Sequence, residues 1–234
     1  MILEEQLNDL VVANRILARE QVVDGFGHVS IRHPGRPDRY FLSRSRSPEL
    51  VTREDILEFD LDSNPITLDG SALYAERPIH GEIYRARPDV GAVIHNHAQE
   101  VVPFGTTGTK LRQMIHTAGG MGPDVPIWDI RTKFDDTDML VRTADQGRDL
   151  ADALGQNSAV LMRGHGCTVA GRSLQETVKV AIYVMVNARL QTAAMRMGDV
   201  EYLTPGEMEA TKKTELSALS LDRAWEYWAR RTGC

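Results

Sequence analysis

AERPIHGEIYRARPDVGAVIHNHA, residues 75–98, holds an acid, a helix-like segment and an apolar run that ends in His-Asn-His. A strand places positions i and i+2 on one face, roughly 6.5–7 Å apart along the chain. His95 and His97 therefore point the same way, and Asn96 points the other. Two imidazoles on one face with an acid nearby, Glu76, suit a divalent metal such as Zn2+ or Mn2+. A third imidazole is available at His165, in RGHGC.

The 234 residues around this stretch are enough to bury a substantial core. No repeat, linker or low-complexity segment divides them, so 1–234 is read as a single domain. A net charge of −6 argues against a general nucleic-acid partner. No apolar run approaches the roughly 20 residues of a membrane span. The N-terminal MILEEQLNDL is acidic and amphipathic, unlike a signal or transit peptide. Cys167 and Cys234 are the only cysteines, so a disulfide framework is excluded and a reducing cytoplasm is the expected compartment.

Upstream, Leu3, Leu7, Leu10, Val11, Ile16 and Leu17 share one stripe and predict an amphipathic first helix. In FGHVSIRHP, Val29 and Ile31 alternate with Ser30 and Arg32, as in a strand, so His28 and Ser30 share a face. Gly25 and Gly27 permit either a plain turn or close approach to a ligand. Ser43, Arg44, Ser45 and Arg46 form a basic, hydroxyl-rich loop that holds an anion or is a solvated turn. The stretches 56–61 and 66–68 read as a hairpin about Asp62-Ser63-Asn64-Pro65. Residues 78–87 read as a helix with Ile79, Ile83 and Ala86 inward; His80 on it reads as a packed, an exposed or a supporting histidine.

Downstream, the spacing predicts a short helix from Thr106 through Met114, and His116 precedes a glycine-rich stretch. Residues 145–154 read as a helix and 158–162 as a strand. Glycines on both sides of His165 predict a tight turn that presents the imidazole, with 167–170 returning as a strand. Ser173 and Glu176 have capping-box spacing and open a long helix to about Met197, with Met195 and Met197 read as core filler. Thr204 and Glu207 mark another helix start. Trp225, Tyr227 and Trp228 belong to a last helix that docks on a core or a neighbouring subunit.

With GHVSIR, the E-x-x-x-H of Glu76 to His80, RPDVGAVIHNHA and LMRGHG in place, the chain resembles the class II aldolase/adducin family over most of its length. The resemblance implies a three-layer αβα fold about a largely antiparallel sheet. It also implies a homotetramer with active sites between neighbouring subunits, and a divalent metal held by His95, His97 and His165 with Glu76 as ligand or base. The family's aldolases carry an Asn where this chain has His28, and serines for phosphate where it has Tyr74-Ala75. His116 stands where a tyrosine acid is expected from the neighbouring subunit. These departures resemble the family's decarboxylase branch, which acts on hydroxylated aromatic dicarboxylates; metal-dependent aldol cleavage is the alternative. On that resemblance Glu76, His28 and His116 are the candidate acids and bases. Ser30, Ser43, Arg77 and Arg163 are the candidate substrate contacts, with Arg77, Arg163 or the Arg44/Arg46 loop clamping a second carboxylate.

Overall fold

The computed structural model describes residues 2–67 and 69–233. Leu68 and Cys234 lie outside them. The described strands are β1 (His28–Arg32), β2 (Arg39–Ser43), β3 (Ile56–Asp60), β4 (Ala92–Asn96), β5 (Ile127–Trp128), β6 (Ala159–Met162) and β7 (Gly166–Gly171). They form one sheet in the order β3-β2-β1-β4-β7-β6-β5. Neighbours are antiparallel except β5 and β6, which are parallel. The helices are α1 (Ile2–Arg19), α2 (Pro78–Ala86), α3 (Val102–Thr106), α4 (Arg131–Phe134), α5 (Ala144–Leu154), α6 (Leu174–Met197), α7 (Pro205–Glu215) and α8 (Ala218–Arg231).

The alternation of side chains along β1, β4 and β7 divides the interior in two. Val29, Ile31, Ala92, Ile94, Cys167 and Val169 face α1 and α6 and join one apolar cluster. Val93, Ala170, Val160 and Met162 face α2 and α5 and join a second. Helix–sheet–helix layering follows, as expected. His28, Ser30 and His95 share the α2/α5 side, because His28 is the register partner of His95, and Ser30 that of Val93.

Several local expectations are corrected. No helix runs from 109 to 114, because α6 side chains capture that backbone in an extended form. Gln191 and Asn187 accept from the N–H groups of Arg112 and Met114, and donate to the carbonyls of Lys110 and Arg112. The described helical turn lies earlier, in α3. Among the described residues the hairpin return is a bridge between Phe59 and Pro65, with the Asp60 N–H on the Asn64 carbonyl at 3.0 Å and the Ile66 N–H on the Glu58 carbonyl at 2.8 Å. Pro65 has no N–H with which to extend a ladder. Ala86 is exposed. Met195 and Met197 are exposed rather than packed, since the last turns of α6 run past the core. Of the terminal aromatics, Trp228 is buried and Tyr227 is exposed. No helix of the described residues is long and apolar enough to cross a membrane.

Among the glycines, Gly166 has the least room: an added Cβ would sit 2.1 Å from the Asn96 carbonyl and 2.9 Å from the His97 Cα. Gly166→Ala should therefore force β4 and β7 apart at a cost of about 2 kcal/mol. Thermal unfolding should show Tm lower by roughly 4–8 °C; an unchanged Tm would mean the two strands are not held at this spacing.

Candidate active site

The end of β4 delivers the first imidazoles. His95 is fully buried, and His97 follows the strand. Asn96 points to the other face, where its Oδ1 accepts from the Ala98 N–H at 3.1 Å and its amide lies 3.3 Å from Cys167 Sγ. Burial pushes that thiol up to about 12, so Cys167 is an inert packing group. The turn between β6 and β7 delivers the third imidazole. It closes with the His165 N–H on the Met162 carbonyl, and Gly164 adopts φ 63° there. Glu76 enters from the residue pair preceding α2.

His97 Nε2 lies 3.0 Å from His95 Nε2 and 2.9 Å from His165 Nε2. Glu76 Oε2 lies 3.4 Å from His95 Nε2 and 3.6 Å from His165 Nε2. One ligand atom from each residue falls within 4.8 Å of all the others. The surrounding backbone fixes the orientation. His165 Nδ1 donates to the Met139 carbonyl at 3.0 Å, which leaves a lone pair on Nε2. Glu76 Oε1 accepts from the Val141 N–H at 3.0 Å, which turns Oε2 toward the histidines.

A single proton on His97 Nε2 can bridge to only one neighbour, whereas a divalent cation engages all four atoms. The chemistry of the donors therefore fits a metal. Burial alone would raise the Glu76 carboxyl, but His95 and His165 outweigh it and hold the group well below the usual carboxylate range. Burial, then His95 and His165, pulls His97 down to about 4. Glu76 thus offers a carboxylate and His97 a neutral imidazole, the forms that bind metal. A cleft of about 420 Å3 opens beside His97, lined by Val22, Asp24, Gln99 and Glu100 among others.

The other sequence candidates divide. His28 is brought in: its ring is 5.1 Å from His95 and 4.6 Å from Tyr74, centroid to centroid. Ser30 lies buried behind it, bonded to His80 and Tyr84, so it supports the wall. Ser43 Oγ is buried 3.3 Å from the Tyr74 hydroxyl. Tyr74 donates that hydroxyl to the Arg46 carbonyl. Arg77 is spent on the carbonyls of Ser63 and Tyr74, at 2.9 and 3.0 Å. Arg163 Nε lies 2.9 Å from Asp129 Oδ1. His116 is not brought to the four-residue set within the chain. Its side chain is 73% exposed, in a groove with Lys179, Glu215 and Trp228.

The anion-holding reading of the Arg44/Arg46 loop is corrected. Arg44 Nε and Arg46 Nη1 bond buried Asp55 at 2.6 and 3.0 Å. Asp55 was missed because nothing in TREDI sets it apart from Glu54 beside it, and only the fold shows what faces it. His80 and Tyr84 carry more weight than their sequence reading gave them; their i, i+4 spacing, which puts them on one helical face, was the available signal.

Residues 8–192 match the class II aldolase and adducin N-terminal domain family. Decarboxylase tropJ of Talaromyces stipitatus is 38% identical, with 92% of this chain and 89% of that protein covered. 3,4-dihydroxyphthalate decarboxylase of Arthrobacter keyseri is 31% identical, with 81% and 78% covered. Among solved structures, L-fuculose 1-phosphate aldolase from Glaciozyma antarctica superposes with a TM-score of 0.79 at 21% identity, covering 97% of this chain and 88% of that one. The chain belongs to the class II aldolase and adducin family. It is an enzyme of the lyase class.

Two outcomes follow from this geometry. Wild-type protein should carry about one divalent ion per chain by elemental analysis, and His95→Ala should lose it; a metal-replete, active His95→Ala would remove His95 from the ligand set. Asp55 is a separate case. Burial would raise it, but the Thr52 N–H, Arg44 and Arg46 bring it down to about 2. Its folded value lies below its unfolded value, so its contribution is complete above about pH 4 and is lost as pH falls through about 2. Asp55→Asn should cost about 2 kcal/mol at neutral pH, and the gap to wild type in chemical unfolding should close over that acid window.

Proposed function

We propose that this lyase is a divalent-metal-dependent decarboxylase of a hydroxylated aromatic or pyridine dicarboxylate. 3-Hydroxy-2-methylpyridine-4,5-dicarboxylate, a compound of vitamin B6 degradation, is our substrate candidate. The observation that carries this reading is the wall beside the metal set. It is aromatic, formed by His28 and Tyr74, and the neighbouring Arg44 and Arg46 are both already tied to Asp55. A phosphorylated substrate brings a dianion that needs free cationic or N–H partners. A planar ring needs a flat face, which His28 and Tyr74 offer. The decarboxylase relatives support the same reading.

Glu76, His95, His97 and His165 would hold Mn2+ or Zn2+. When bound, the ion supplies a Lewis acid for the electrons left by a broken C–C bond. The chain's own residues do the rest. An ortho-hydroxy acid loses CO2 after its carboxylate-bearing carbon is protonated, and loss of CO2 restores aromaticity. His28 and Glu76 are the groups placed to hold or deliver that proton. Exposed Phe26, with its ring 6.4 Å from His97, adds an apolar rim. Arg163 adjoins His165 and shares Asp129 with Arg131, so two guanidiniums face one carboxylate and one positive charge is left over. We assign that charge to the substrate's second carboxylate. Cytoplasmic location and a homotetramer with sites at subunit contacts, the setting in which His116 acts, complete the proposal.

Incubation with aromatic ortho-hydroxy diacids should release CO2 in a reaction abolished by chelator and restored by Mn2+ or Zn2+. Arg163→Ala should raise KM for a diacid roughly 10–100-fold, the worth of one charge-assisted hydrogen bond, and leave a monoacid's KM unchanged. Aldehyde release from a sugar phosphate or hydroxy-keto acid, with no CO2 from any diacid, would replace this reading with an aldolase.

A further inference from the structure

Behind the metal set runs a buried line of polar groups, of which the reaction outlined above uses only His28. His28 Nδ1 is 2.6 Å from His80 Nε2. His80 Nδ1 is 2.6 Å from Ser30 Oγ, and Ser30 Oγ is 2.8 Å from the Tyr84 hydroxyl. All four side chains are buried. The arrangement grows from two short spacings: His28 and Ser30 are two apart on β1, His80 and Tyr84 are four apart on α2, and the two faces interleave.

Such a line has a direction. Each contact holds one proton, and a neutral imidazole has one N–H to give. Burial first, then His95, pulls His80 down to about 3, so its ring is neutral at physiological pH. Among the described residues, Ser30 Oγ is the side-chain partner of the Tyr84 hydroxyl. If the protons ran from His28 toward Tyr84, the phenol proton would be left buried without an acceptor, at a cost of about 1–3 kcal/mol. Run the other way, the protons of Tyr84, Ser30 and His80 are all used, and the one left over belongs to His28, at the end of the line beside His95. Tyr84 donates to Ser30, Ser30 to His80 Nδ1, and His80 Nε2–H to His28 Nδ1. The proton of His28 is then on Nε2, for which no hydrogen-bond partner exists among the described residues.

We propose that Tyr84, Ser30 and His80 form a polarised hydrogen-bond chain that fixes His28 in its Nε2–H tautomer, so that His28 meets the substrate as a donor. Ser30 and His80 are positioning residues. His28 is thereby a poor fifth ligand, having no lone pair on its free nitrogen, and it leaves the role of base to Glu76. The donor role rests on the metal-lyase reading of the site; the tautomer does not.

Nitrogen-15 NMR of histidine-labelled protein loaded with diamagnetic Zn2+ reads the tautomers directly. In the wild type, His28 and His80 should both be protonated at Nε2 and bare at Nδ1. Tyr84→Phe should keep this pattern, because the Ser30 hydroxyl still has His80 as its acceptor. Ser30→Ala should mix the tautomers of His80 and His28, lower kcat about tenfold or more, and leave KM and metal content unchanged. An Nδ1–H on His28 or His80 in the wild type overturns the proposal, as does a Ser30→Ala protein with wild-type tautomers. If the wild type turns over no aromatic diacid, the substrate reading fails, and the wild-type tautomers still decide this proposal.

Discussion

Three imidazole nitrogens and a carboxylate oxygen stand within 4.8 Å of one another, an arrangement that no side-chain preference produces by itself. Buried lone pairs at this spacing repel and lose their water, so the surrounding fold must force them together. The force comes from the close contact of β4 with β7, where Gly166 lets the Asn96 carbonyl in. In that register His95 faces Thr168, and the turn preceding β7 swings His165 over His97. Backbone groups then lock the outer atoms: the Met139 carbonyl on His165, the Val141 N–H on Glu76. Much of the binding geometry is therefore set by main chain, which changes little with sequence.

How much of this was legible in the sequence depends on range. His-Asn-His could be read because a strand's period of two is local, and Gly-His-Gly because glycines mark a tight turn. Glu76 and His165 needed the resemblance, since nothing local says that residues 76, 95 and 165 meet. The main helices followed from apolar periodicity, and the layered fold from the resemblance. The 109–114 stretch did not, because amides seventy to eighty residues away decide its backbone. Nor did the fate of Arg44 and Arg46: a basic loop looks like an anion site until the buried acid opposite it is known. His116 remains outside the four-residue set because its element packs on α6 and α7, away from the end of β4.

Charge placement distinguishes this site from a general anion trap. The Arg44 and Arg46 guanidiniums are tied to Asp55, and Arg77 to two carbonyls. These groups hold the Tyr74 segment in place, and Tyr74 in turn lies against His28. The cations near the site thus serve mostly to shape a wall. Arg131 and Arg163 share Asp129 in the same two-to-one arrangement, next to the turn that carries His165.

The same alternation that builds the sheet also separates stability from chemistry. On the α1/α6 side of β1, β4 and β7, Val29, Ile31, Ile94 and Val169 pack into a continuous apolar cluster. On the α2/α5 side, the positions nearest the metal set are His28, Ser30, His95 and Thr168, all buried and all polar. Buried polar groups of this kind are tolerable only when each finds a partner. Here they find one another: His28 with His80, His80 with Ser30, His95 with Thr168 at 3.3 Å. A side chain that fails to pair on this face disturbs its neighbours along the line, whereas a change on the other face is felt as packing. Three strands can therefore carry a rigid core on one side and a directional hydrogen-bond network on the other, one residue apart.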